Sequence, residues 1–168
     1  MVKRQVDINI FGPFKSQVSR PWLRSAVKQV LERELPGESY QLSLVIADDD
    51  TIRCLNKDYR GLDEVTDVLS FSTTHQGHWE GEGEAPRSYD DQVPFVLPPE
   101  EPPQLGEVII SYPQALRQAT PGPSGPLDEL ASLVVHGVLH LLGFDHVEPQ
   151  EGAEMQQRER EILSGLIS

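Results

Sequence analysis

LDELASLVVHGVLHLLGFDH, residues 127–146, is the stretch that decides how this chain folds. Residues 127–142 are apolar over most of a helical circumference, and a helix without a broad polar face has to run through a core. Two histidines interrupt that surface, His136 and His140, four apart and therefore on one face. Gly143 is placed to end the helix, since glycine takes left-handed backbone angles without steric cost. The turn it allows brings His146 back over the helix end.

The histidine spacing points to a metal. Unpaired imidazoles are costly to bury in an apolar helix. Two imidazoles at i and i+4 can instead reach one tetrahedral zinc at ~2.0–2.1 Å. With His146 as third ligand, the fourth position stays open to water, which distinguishes a catalytic zinc from a structural one. The expected cofactor is therefore one Zn2+ ion held by His136, His140 and His146 plus a water. The competing reading is two core histidines and one surface histidine. Three imidazoles also accept nickel, copper or cobalt, so the residues do not select the metal.

The pattern H-x-x-x-H-x-x-G-x-x-H is also that of the metzincin proteases, with one difference. Gly137 stands where a protease carries the glutamate that activates water, so peptide hydrolysis lacks its usual base.

Upstream of this helix the period of the apolar residues changes several times. Val6, Ile8 and Ile10 alternate as in a half-buried strand over 5–11. Trp22, Leu23, Ala26, Val27, Val30 and Leu31 line one face of a helix over 21–35, with Pro21 in its first turn and Pro36-Gly37 beyond its end. YQLSLVIA (40–47) reads as a second strand, and Asp48 to Asp50 can cap a helix at about 50–58. Cys54 in that helix reads as a small buried hydrophobe; as a single cysteine it forms no internal disulfide and fits a reducing compartment. TDVLSFS (66–72) and LGEVIIS (105–111) give two more strands, followed by helices at 112–119 and from Glu148 to about Ser164.

Between the last two strands, residues 73–104 hold six prolines and seven acids against one arginine, the composition of an extended loop insertion. The whole reads as one domain, 1–168, of the α+β class: a mostly four-stranded mixed sheet packed with about five helices. One of these is a metzincin-like histidine helix.

Net charge is −13, which argues against a general nucleic-acid binder held by a basic surface. The charge is uneven, however: residues 1–60 carry 10 bases and 8 acids, residues 61–168 carry 4 bases and 19 acids. An RNA partner would approach the N-terminal half or a local positive site. No run nears the ~20 apolar residues of a membrane span, and the N-terminus reads as a strand rather than a signal peptide. A cytoplasmic location is expected, with neither membrane nor DNA as partner.

Three blocks of the chain resemble the YbeY-type endoribonucleases, single-strand-specific metalloenzymes of ribosomal RNA maturation and ribosome quality control. They are HGVLHLLGFDH (136–146), LNKDYRGLDEVTDVLSF (55–71) and LGEVIIS (105–111), in the family's order. The departure is the acidic, proline-rich stretch, which looks longer than in compact members. The resemblance implies zinc ligation by His136, His140 and His146, and a functional role for Arg60 in the YR motif. It also implies single-stranded and ribosomal RNA, with the small ribosomal subunit and its proteins, as partners. A guanidinium can clamp a phosphate through two hydrogen bonds; the alternative for Arg60 is a surface ion pair with Asp58 or Asp63. A metal-binding ribosome-assembly factor without catalysis is the second functional reading.

Lesser candidates surround the histidines. Asp145 could orient a ligand or cap the turn. Ser70 could face the groove but reads as a buried strand serine; Asp67 could serve as a base or as strand-entry chemistry. Met155 could lie beneath the metal, as in metzincins, but reads as a core methionine. His75 and His78 lie in a polar loop poorly suited to hold a metal.

Overall fold

The strand order is β1-β2-β4-β3, with β1 at Arg4–Ile10, β2 at Tyr40–Ala47, β3 at Val68–Ser72 and β4 at Gln104–Ser111. The computed structural model describes residues 3–73, 102–122, 125–144 and 149–167. β1 and β4 both run parallel to the central β2, whereas β3 pairs antiparallel with β4 at the sheet edge. Among the described residues five α-helices accompany the sheet: α1 (Arg20–Glu34), α2 (Asp49–Arg60), α3 (Tyr112–Gln118), α4 (Gly125–Leu141) and α5 (Pro149–Ile167). The α+β class and the mixed four-stranded sheet are as the sequence periods predict. The acidic stretch joins β3 to β4, and residues 74–101, with His75 and His78, lie outside the described residues.

Alternation along each strand divides the core between two sheet faces. Ile8, Leu44 and Val108 stand in one register row, and Ile10, Ile46 and Ile110 in the next. All six join the larger cluster with Leu23, Val27 and Val30 of α1 and Val134, Val138 and Leu141 of α4. The residues of opposite parity, Ala47, Leu69 and Ile109, pack under α2 with Ile52. α1 and α4 therefore cover one face and α2 the other.

α4 is a central element, as its sequence requires. From Leu130 to Leu141 every residue is buried except Ser132, His136 and His140, which fall on one stripe. α5 packs beside it through Met155 and Ile162, both buried. Arg158 of α5 reaches across to Glu34 of α1, with contacts of 2.8 and 3.0 Å, and lies 4.7 Å over the Phe144 ring. Met155 is the core methionine its position predicts.

α2 is held at its N-terminus. Asp48 caps it by accepting from the Thr51 amide at 2.9 Å. Asp49 accepts both Arg117 guanidinium nitrogens, at 2.7 and 2.9 Å, and the Ser111 hydroxyl at 2.9 Å. The helix buries Ile52 and Asn56, four apart. Cys54 lies on the opposite side and is exposed, correcting the buried position expected for it. Apolar neighbours at 52 and 55 suggest burial, but a residue two from each buried anchor is turned about 200° from both.

The Arg117 guanidinium, with help from Ser111, holds the Asp49 carboxyl below the usual carboxylate range. A depressed folded pKa contributes stability above the unfolded value of about 3.9, and that stability is lost as pH falls through the folded one. Asp49→Asn should therefore cost about 1 kcal/mol near neutral pH, as expected for a partly exposed charge-assisted pair. Urea unfolding at a series of pH values should show the difference from wild type shrinking below about pH 4. A constant difference down to strong acid would contradict this account of Asp49.

Candidate functional site

The histidines occupy the one stripe of α4 that the core leaves uncovered. His136 Nε2 and His140 Nε2 stand 3.0 Å apart, with the rings edge to face and centroids 4.5 Å apart. Two nitrogens bound to one tetrahedral zinc at ~2.0–2.1 Å would stand about 3.3 Å apart. A small side-chain rotation closes that gap, so this pair fits a shared metal ion. His146, the third ligand expected from the sequence, and Asp145 lie outside the described residues. Among the described residues no cluster of three or more His, Cys, Asp or Glu is arranged to hold a metal ion.

The helix end has the geometry that the glycine predicted. Gly143 has φ +98°; its amide donates to the His140 carbonyl at 3.0 Å, and the Phe144 amide donates to that of Leu139 at 3.1 Å. These two bonds form a Schellman turn with glycine at its left-handed position. The chain thus reverses one turn past His140.

Gly137 acquires a packing role that the sequence did not reveal. A Cβ at this position would stand 2.6 Å from Val108 Cγ1, 3.2 Å from Val68 Cγ2 and 3.4 Å from Ser70 Oγ. The helix rests directly on side chains of β4 and β3 here, so any larger residue, a glutamate included, requires Val108 to shift. Below it, Ser70 donates to the Gly137 carbonyl at 2.9 Å and Ser72 to the Leu141 carbonyl at 3.3 Å. Both serines face α4 because they alternate with Leu69 and Phe71, which face α2. The strand serine at 70 is half-buried, and its hydroxyl is a fastener for the histidine helix.

A carboxylate from outside the three sequence blocks completes the arrangement. Glu159 of α5 places Oε1 2.6 Å from His136 Nδ1, with side-chain exposures of 18% for Glu159 and 31% for His136. The signal was present but easily missed: Met155, Glu159 and Ile162 share one helical stripe, with an acid between two buried apolar residues.

Arg60 comes from a different element, as the last residue of α2, and is half-buried. Asp63, one of the ion-pair partners considered for it, takes Arg53 at 2.8 Å. The ring of Tyr59 lies 4.8 Å from that of Phe71 on β3, and Tyr59 remains 60% exposed. Asp67 is engaged by the Val68 amide at 2.7 Å and by Gln118 at 3.0 Å, the strand-entry role expected of it.

Comparison with known proteins points the same way as the three blocks. A family profile described as Endoribonuclease YbeY matches residues 9–167. A Dehalococcoides mccartyi protein named Endoribonuclease YbeY is 41% identical over 169 residues, covering 95% of this chain and 94% of its own. A Roseiflexus protein of the same name is 38% identical over 165 residues, covering 98% and 94%. A solution structure of a Thermotoga maritima protein superposes with a TM-score of 0.53 over 97% of this chain and 88% of that one. Its 22% identity makes this a likeness of fold alone.

The close approach at Gly137 makes a clear expectation for stability. Gly137→Ala gains about 1 kcal/mol of helix propensity but overpacks the core, which costs typically 1–3 kcal/mol. Urea denaturation should show net destabilisation, partly relieved by Val108→Ala, which removes the nearest obstructing methyl. A variant as stable as wild type would show that the strand yields freely.

Proposed function

The chain belongs to the YbeY endoribonuclease family, and from that premise we propose that it is a zinc-dependent enzyme cleaving single-stranded RNA. Its main substrate in this reading is ribosomal RNA, in maturation of the 3′ end of the small-subunit rRNA and in ribosome quality control. Its partners are then the small ribosomal subunit and its proteins, in the cytoplasm. Among the described residues no helix is long and apolar enough to cross a membrane.

The observation that carries the metal reading is the convergence of His136 Nε2 and His140 Nε2 to 3.0 Å on the uncovered stripe of α4. His136 and His140 would hold the ion, with His146 as third ligand. Zinc, when bound, supplies a Lewis acid that polarises a phosphate oxygen. Arg60 would grip the scissile phosphate through its planar guanidinium and offset the charge that builds on it during displacement.

Neither Asp67 nor Glu159 serves as an obvious general base. Asp67 is committed to the Val68 amide and Gln118. Glu159 lies on the Nδ1 side of His136, away from the converging Nε2 atoms. The attacking oxygen is either water or the RNA's own 2′-hydroxyl. Water attack yields non-cyclic ends in one step; 2′-hydroxyl attack expels the 5′-oxygen and first leaves a 2′,3′-cyclic phosphate. Mass analysis of cleaved fragments separates the two.

Metal analysis of purified protein should find about one zinc per chain, lost in His140→Ala. Cleavage of a single-stranded RNA should fall with it, by roughly 10²-fold or more. If His136→Ala still matures ribosomal RNA like the wild type, the enzyme reading fails and the assembly-factor reading takes its place.

Arg60→Ala should leave zinc content unchanged and lower kcat/KM by about 10²–10³-fold, the loss typical of a removed charge-stabilising donor. Arg60→Lys should recover only part, since an ammonium cannot make the two parallel bonds. Full activity in Arg60→Ala would remove this residue from the mechanism.

A further inference from the structure

We propose that Glu159 is a positioning residue for the metal centre, holding His136 in the tautomer and ring orientation that aim Nε2 at the ion. The proposal rests on the metal reading above and extends it to a residue 23 positions away on another helix.

A neutral imidazole carries one N–H and one lone pair on its two ring nitrogens. Only the lone pair binds a metal. A carboxylate 2.6 Å from Nδ1 is an acceptor and requires the N–H on that side. The lone pair is then left on Nε2, which is the nitrogen that meets His140 Nε2 at 3.0 Å. The same bond fixes rotation about the Cβ–Cγ axis. Without it, the ring could turn and present either nitrogen.

The carboxylate is itself held by the packing of α5. Met155 and Ile162, on either side of Glu159 along its stripe, are 1% and 5% exposed. Arg158, the preceding residue, is tied to Glu34 on α1 and lies over Phe144 beyond the end of α4. Glu159 therefore meets His136 because the helix is docked. As an ion pair alone this partly exposed contact would add little to the stability of the fold. As an outer-shell partner of a ligand histidine, it is worth about 10–100-fold in metal affinity. The two roles separate by experiment.

The test compares wild type, Glu159→Gln and Glu159→Ala by zinc titration against a competing chelator. It adds ¹⁵N NMR of the His136 ring and thermal unfolding, both on the metal-free protein. We expect the wild-type ring to be protonated at Nδ1, and the ring of Glu159→Ala to populate both tautomers. Zinc affinity should fall about 10–100-fold in Glu159→Ala and less in Glu159→Gln, which keeps an acceptor oxygen. The metal-free melting temperatures should stay close together. Unchanged zinc affinity in Glu159→Ala, or a loss matched by equal destabilisation of the metal-free fold, overturns the proposal. A wild type that binds zinc no better than His140→Ala overturns the metal reading, and this proposal falls with it.

Discussion

Burial of α4 on nearly all sides is the constraint from which the rest of this structure follows. A helix covered by the sheet below and by α1 and α5 beside it has one stripe left for polar groups. His136 and His140 occupy that stripe, and their separation of one helical turn makes their Nε2 atoms meet. From Leu130 to Leu141 the remaining side chains, Ser132 excepted, are committed to the core. The same burial favours glycine at position 137, since a Cβ there would crowd the side chains of Val108 and Val68. The site's chemistry is thus bounded by packing: the face that could have carried a protease glutamate is used to seat the helix.

β3 links the two halves of the candidate site. Its alternating residues face opposite ways, so one short edge strand serves both sides of the sheet. Ser70 and Ser72 fasten to the carbonyls of Gly137 and Leu141, whereas Leu69 and Phe71 pack toward α2. The Leu141 carbonyl is among the last four of α4, which lack an intrahelical donor, and the Ser72 hydroxyl provides one. Tyr59 lies against Phe71, one residue before Arg60. Arg60 and the histidine helix are thus related through successive residues of the same strand, although they belong to opposite faces. α5 contributes from a third direction, bringing Glu159 to the back of His136 while Arg158 ties the helix to α1.

Much of this architecture is legible in the order of the residues. The strand and helix periods are strong because most elements bury only one face, so apolar spacing records orientation directly. The histidine pair is legible for a related reason: residues four apart on a helix share one face. Gly143 is readable because a left-handed turn demands it. Cys54 misleads because an apolar neighbourhood in sequence is not an apolar face, and α2 turns that residue to solvent. Glu159 is hidden because it looks like one of many acids on a polar helix, and its partner is 23 residues away.

Residue order alone specifies the elements, the α+β class, the family blocks and the two histidines that share a helical face. Those are local matters, set by periodicity and by backbone geometry within a few residues. The crowding at position 137, the fastening of the helix by Ser70 and Ser72, and the choice of acid that meets His136 emerge from packing in three dimensions. Each depends on the distance between residues far apart in the chain, and packing sets that distance.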